Sequence, residues 1–359
     1  MFVFGSYPKD TKLCADIEKT LRLFQNKAET VVPKALPISA YNQRYLSEHL
    51  SRLFSLMKRI GFFLAWVIKD SQRPYKDLVL VEYGAGTGLP CCVAKLLGIG
   101  TVIYSDHFAP SCEDAKAIHH AFGTEADAYV CGELEEIIEY LKSKQLACDA
   151  LISSDCIEHI YDVDKFLMLH KDIPGNRLTV AHSSGANSKN PFRVRQLKKY
   201  HIQREYLGFQ VKEGHKPTEL GESYLEVRRR LIREYAPDLS VDIIDKLATH
   251  TRGMRKEDIY AAVDTFRKMA TLPPLPAHPT NTCDPLNGNW AEHLLDFHHL
   301  VEVMNAAGFS AQIVPGYYAG TTPLRRLVLP MLNLAIRAAG PWGIHLGHFF
   351  MLYGQRKID

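Results

Sequence analysis

Residues 80–88 read Leu80-Val81-Glu82-Tyr83-Gly84-Ala85-Gly86-Thr87-Gly88. An apolar run, Leu78 to Val81, leads into them, and apolar residues at helical spacing (Val93, Ala94, Leu96, Leu97) follow. The stretch reads as strand, glycine-rich turn and helix. The glycines stand two apart, with the acid Glu82 two before the first. A dinucleotide loop has the spacing G-x-G-x-x-G, whose last glycine lets helix and strand pack closely. Here the third glycine comes one residue early, and Glu82 would set a negative charge beside a pyrophosphate. A ligand with cationic groups suits that acid better.

Outward from this turn, β-like runs alternate with helical ones. Residues 78–83, 101–106, 128–131, 148–153 and 177–182 read as strands. Residues 115–122, 133–142 and the later part of 156–170 read as helices. That alternation predicts an α/β fold with a doubly wound, mostly parallel sheet. The rhythm breaks between Lys189 and Pro285, where charged helical segments (194–206, 224–235, 241–248 and 256–269) lead to a proline-rich exit. Residues 293–307 then read as a helix, 311–314 as a strand, 323–339 as a helix and 348–353 as a closing strand. The expected organisation is an N-terminal helical cap (1–77), a first core half (78–188), an inserted helical lobe (189–285) and a second core half (286–359).

The chain has 359 residues, with 43 Lys and Arg against 40 Asp and Glu. It can bury a full core, and its balance of charge does not favour a polyanion partner overall. The lobe is richer in basic than acidic residues. Its run Arg228-Arg229-Arg230 reads first as a solvated helix face, with nucleic-acid or lipid binding as the less favoured alternative. Eight cysteines without a C-x-x-C pair suit reduced thiols in a cytoplasmic protein, and Cys91-Cys92 read as packing residues. Met1 to Phe4 lack the features of a secretory leader. The apolar stretches 61–68 and 327–339 are too short to span a bilayer. The second could lie on a membrane surface, although a lobe or dimer helix is the plainer reading.

The glycine turn resembles motif I of the class I S-adenosylmethionine-dependent methyltransferases. A helix ending in Ala307-Gly308-Phe309 before a strand, then a final strand, is similar to the tail of that fold. The resemblance covers about 78–187 and 290–355. It implies a seven-stranded Rossmann-like methyltransferase sheet whose last strand inserts antiparallel, and S-adenosyl-L-methionine as cofactor. Glu82, Gly84, Ala85, Gly86 and Gly88 would then cradle the amino-acid tail, helped by the helix N-terminus. Asp106, at the end of the second strand, would take the ribose hydroxyls, or cap the next helix, or both. His107, Phe108, Gly132, Glu133 and Asp155 would complete the cofactor site; Glu133 reads equally well as a first-turn helix acid, and Phe108 as core.

After the fourth strand comes Ser154-Asp155-Cys156-Ile157-Glu158-His159-Ile160. This resembles the Glu-His segment of an O-methyltransferase subgroup, some of whose members hold a divalent metal. The resemblance implies that Asp155, Glu158, His159 and His293 could ligate Mg²⁺, Mn²⁺ or Zn²⁺, with Asp155 shorter than the glutamate expected there. The alternative is metal-free chemistry in which a histidine serves as base or as a structural hydrogen-bonder. His159 is the first candidate base and His182 the second, with Glu158 beside them. The expected acceptor is a small molecule or saccharide, methylated on oxygen. A nucleotide-binding oxidoreductase with a degenerate loop, and a non-catalytic binding protein of the same fold, are the competing readings.

Overall fold

The strand before the glycine loop is buried along its whole length, as a strand covered by helices on both faces must be. The protein is described by a computed structural model covering residues 8, 10–71, 73–211, 214, 221–276, 278, 280–320 and 322–357. Two compact units divide it.

The first unit comprises Met1–Ile157, Asp164–Ser184 and Phe297–Asp359 and contains the sheet. Its strands are β1 (Val79–Tyr83), β2 (Thr101–Asp106), β3 (Ala128–Cys131), β4 (Ala150–Ser154), β5 (Thr179–Ser184), β6 (Phe309–Pro315) and β7 (Phe350–Arg356). They lie in the order β3-β2-β1-β4-β5-β7-β6. The first five pair parallel, and β7 runs antiparallel to both neighbours. This is the seven-stranded, mostly parallel sheet expected, with the late strand inserted antiparallel. The order reverses between β1 and β4, and such a switch point opens a crevice at the carboxyl ends of the strands.

Three helices precede the sheet: α1 (Thr11–Ala28), α2 (Ala40–Ser51) and α3 (Leu53–Ile68). Helix α1 buries Leu13, Ile17, Leu21 and Phe24, spaced along one helical face, and Phe24 stacks on Phe122 at 5.2 Å. The apolar run 61–68 belongs to α3, which packs on β4 and β5 and is buried there. Crossovers are made by α4 (Leu89–Leu97), α5 (Ala109–Phe122), α6 (Leu134–Ser143) and α7 (Val163–Leu169). All eight cysteines are free thiols, and Cys131 alone among them is exposed. Burial pushes the Cys92 thiol up to about 12 and lifts Cys91 well above its usual value.

The second unit comprises Glu158–Val163 and Gly185–Asp296. Its helices are α8 (Pro191–Ile202), α9 (Tyr224–Tyr235), α10 (Val241–His250) and α11 (Lys256–Met269). Their core includes Val227, Leu231, Ile244, Leu247, Ile259 and Val263. The run of three arginines is not a uniform solvated face. Arg228 is fully buried; its guanidinium donates to both oxygens of Glu205 and to the Ala248 carbonyl. Arg229 pairs with Glu226 and Asp245, and Arg230 with Glu222. All three thus have acidic partners within the unit.

The late helix begins further on than the sequence suggests. α12 spans Phe297–Ala306, not 293–307, so His293 precedes it. Glu292 takes a left-handed φ of 58°. The Asn281 side chain accepts from the Leu294 N–H at 3.2 Å and donates to the Leu294 carbonyl at 3.4 Å. Those bonds occupy backbone groups a helix would need. After β6 comes α13 (Pro323–Ala338).

Candidate functional site

The glycine loop sits at the switch point, pinned from the neighbouring strand. Gly84, Gly86 and Gly88 have φ of +62°, +54° and +66°, left-handed values that side chains rarely adopt. The three glycines do different work. At Gly88 a Cβ would meet His119 Nε2 at 2.2 Å and the Tyr104 ring at 2.9 Å; at Gly84 it would meet Cys156 Sγ at 2.6 Å. At Gly86 nothing lies within 4 Å, so this glycine leaves open space beside the backbone. The Gly86 N–H donates to Asp106 Oδ2 at 2.8 Å, and the Tyr104 hydroxyl donates to the Gly86 carbonyl at 2.7 Å. Ala85, 9% exposed, donates its N–H to the Ser105 carbonyl at 2.9 Å. Helix α4 follows its N-cap Gly88 directly and brings the positive end of its dipole to the loop; Pro90 has no N–H to offer, and the Cys92 N–H goes to the Gly88 carbonyl at 3.2 Å.

The acids around the loop are placed and partly occupied. Glu82 Oε2 accepts from the Cys91 N–H in the first turn of α4 at 2.9 Å. Burial pushes its carboxyl up to about 8, against the hydrogen bond from Cys91, which favours the charged form. Asp106 also accepts from the Phe108 N–H at 2.8 Å through Oδ1. Its backbone carbonyl takes the Gly132 N–H at 3.0 Å, which draws the β3 turn toward β2. His107 is half-exposed, with Nδ1 3.8 Å from Asp106 Oδ1. Phe108 meets the Tyr41 ring edge-on at 5.1 Å. Glu133 is the N-cap of α6, in a capping box with Glu136, and its Oε2 also accepts from the Tyr83 hydroxyl at 2.6 Å. The acid expected in the first turn of this helix is its N-cap instead, and Glu135 and Glu136 stand in the first turn. From α2, His49 Nδ1 lies 3.0 Å from Thr87 Oγ1.

At the end of β4, Asp155 takes a left-handed φ of 50°. Arg59 of α3 grips it with two bonds, Nη1 to Oδ2 at 2.5 Å and Nη2 to Oδ1 at 2.6 Å, and Nη2 also donates to Ser183 Oγ at 2.9 Å. Such forked pairing is the strong form of a charge-assisted bond. Sequence reading missed Arg59. The pair is separated by 96 residues, and an arginine on a helix carries no local signal of its partner.

His182 is corrected by the structure. It is wholly buried and sits inside β5. Ser153 Oγ lies 2.8 Å from its Nδ1, and His170 Nε2 lies 2.9 Å from its Nε2. His170 Nδ1 in turn lies 2.9 Å from the Phe166 carbonyl, to which it must donate. The whole chain is then satisfied by neutral rings: Ser153 donates to His182, and His182 donates to His170. Burial lowers His170 to about 4 and His182 well below its usual value. A ring so enclosed cannot take a proton from an acceptor.

In the second unit, Glu158 and His159 pair with the segment around Trp290. The Trp290 and His293 N–H groups donate to the His159 and Glu158 carbonyls at 3.2 and 3.0 Å. His159 Nδ1 lies 2.8 Å from the Trp290 carbonyl. It therefore donates there, which leaves Nε2 with its lone pair. Glu158 is fully buried. His293 stacks on Trp290 at 4.1 Å, and burial, then His278 and His201, lower it to about 4. Among the described residues no group of three or more His, Cys, Asp or Glu is placed to hold a metal ion. Within the second unit, Glu158, His159 and His293 are not gathered as a ligand set; in the first, Asp155 is engaged by Arg59.

No family model and no curated protein matches the chain. Among solved structures, an S-adenosylmethionine-dependent methyltransferase from Mesorhizobium loti aligns over 79% of this chain and 94% of its own, at 14% identity and a TM-score of 0.37. A SAM-dependent methyltransferase from Archaeoglobus fulgidus aligns over 87% and 99%, at 13% identity and a TM-score of 0.37. At such scores the alignments carry no argument; the strand order and the loop geometry do.

Proposed function

We propose that this chain, whose sheet has the strand order and antiparallel insertion of the class I S-adenosylmethionine-dependent methyltransferase fold, is itself such an enzyme and acts on an oxygen acceptor. One observation carries the reading: the left-handed glycine turn at the switch point is hydrogen-bonded to Asp106, an acid at the carboxyl end of the adjacent strand. Asp106 is the group for a ribose diol. The open side of Gly86 and the positive dipole end of α4 suit an amino-acid carboxylate, and Gly132, Glu133 and His107 border the adenine.

S-adenosyl-L-methionine, when bound, supplies an electrophilic methyl group on a sulfonium. What remains for the protein is alignment and proton removal. Glu82 steadies the start of α4, and the Arg59–Asp155 pair fixes the end of β4. His159 is the base assigned to the acceptor hydroxyl, because its bond to the Trp290 carbonyl holds the tautomer that accepts a proton at Nε2. The acceptor is taken as a small molecule or saccharide. A divalent metal has no support from the geometry and is given no part.

Titration calorimetry with S-adenosylhomocysteine and, separately, NAD tests the reading. Heat of binding with the first and none with the second is expected. NAD binding without S-adenosylhomocysteine binding would replace this proposal with a nucleotide-linked oxidoreductase. Binding followed by no methyl transfer to any acceptor would leave a binding protein of the same fold.

A further inference from the structure

Helix α13 turns its apolar side outward. Leu324, Leu327, Val328, Met331 and Leu334 are all exposed, Met331 by 73%, and their spacing of three and four places them on one helical face. The opposite side is anchored. Ile336 is buried, and the Asn333 side chain accepts from the Tyr318 N–H at 2.8 Å and donates to the Tyr318 carbonyl at 2.9 Å. A helix held by a two-way polar clamp cannot roll to hide its leucines. Trp342, 75% exposed, follows in the short turn Gly340–His345. A contiguous apolar face of this kind marks an interaction surface.

Charge indicates what covers it. Between Val303 and Ile358 the sequence contains no Asp or Glu, while Arg325 and Arg337 of α13 are exposed. A second copy of this chain would bring like charges together with no acid in the segment to offset them. The excursion also starts from a telling place. β6 pairs antiparallel to β7, which pairs antiparallel to β5, so β6 ends at the same edge of the sheet as β1, β2 and β4, where the glycine loop and Asp106 stand.

We propose that α13 and Trp342 form a docking surface for an anionic lipid bilayer. The leucines and Met331 enter the acyl boundary while the arginines reach lipid phosphates, and Trp342 sits at headgroup depth. None of the helices among the described residues is long and apolar enough to cross a membrane, so the helix lies in the interface.

The test is flotation of the full chain with vesicles of phosphatidylcholine alone and of phosphatidylcholine mixed with phosphatidylglycerol. Binding to the mixed vesicles, weakened by salt and about tenfold lower on pure phosphatidylcholine, is expected. The pair Leu327→Glu and Met331→Glu should lower the bound fraction about tenfold or more, with circular dichroism and S-adenosylhomocysteine affinity unchanged. The pair Arg325→Gln and Arg337→Gln should weaken binding to the anionic vesicles only. Three results overturn the proposal: no flotation, flotation indifferent to both pairs, or a dimer in light scattering that the glutamate pair splits while vesicles are ignored. None of them bears on cofactor binding, which is read separately by calorimetry.

Discussion

Gly86 and Asp106 are joined by a 2.8 Å hydrogen bond from the backbone N–H of one to the carboxylate of the other. The residue proposed to read the cofactor's sugar thus also sets the loop proposed for its tail. Asp106→Ala should therefore weaken S-adenosylhomocysteine on the order of a hundredfold, the loss of two charge-assisted bonds reduced by partial solvation. Calorimetry measures it. Unchanged affinity would remove Asp106 from the site.

Gly86 and Gly88 separate two uses of the same residue type. Gly86→Ala meets no atom and bears only the left-handed strain, about 1–2 kcal/mol. Gly88→Ala adds the contact with His119 and Tyr104, for about 2–5 kcal/mol in total. Denaturant unfolding should rank Gly88→Ala as the less stable. Calorimetry should show Gly86→Ala losing ligand affinity while it remains folded.

Asp155 offers a check on backbone strain that is independent of ligand. Both Asp155→Ala and Asp155→Gly delete the pair with Arg59, but only glycine relaxes the φ of 50°. The glycine variant should be the more stable by about 1 kcal/mol. Equal unfolding midpoints would mean that the left-handed turn is not kept in solution.

His170, at about 4, titrates below the unfolded-state value near 6.5. The unfolded chain therefore binds the proton first as pH falls. Stability is full above about pH 6.5 and is lost on descent toward pH 4, at about 1.4 kcal/mol per unit for such a group. His182, shifted the same way, adds to the loss. Urea midpoints at pH 7 and pH 5 should differ accordingly, and a flat profile would contradict the neutral chain Ser153–His182–His170.

The sheet was legible because parallel strands buried on both faces read as short apolar runs, and glycine punctuates their ends. β1 to β5 fall within a few residues of where Val81, Ile103, Val130, Leu151 and Val180 place them. The catalytic side was less so. His182 looks from sequence like any histidine near a strand end; only Ser153 and His170, brought in from other elements, show it to be core. His293 shares a pattern of apolar neighbours with a helix, yet the Asn281 amide holds that backbone off the helical path. The Arg59 fork and the burial of Arg228 follow from pairings made across the chain, which no local pattern contains.

The exposed thiol of Cys131 ends β3, immediately before Gly132 and Glu133. Because the other seven cysteines are buried or, for Cys14 and Cys156, half-buried, a maleimide dye at neutral pH should favour this position. The wild-type chain thus carries a ready-made attachment point for a fluorescent reporter at the edge where adenine would rest.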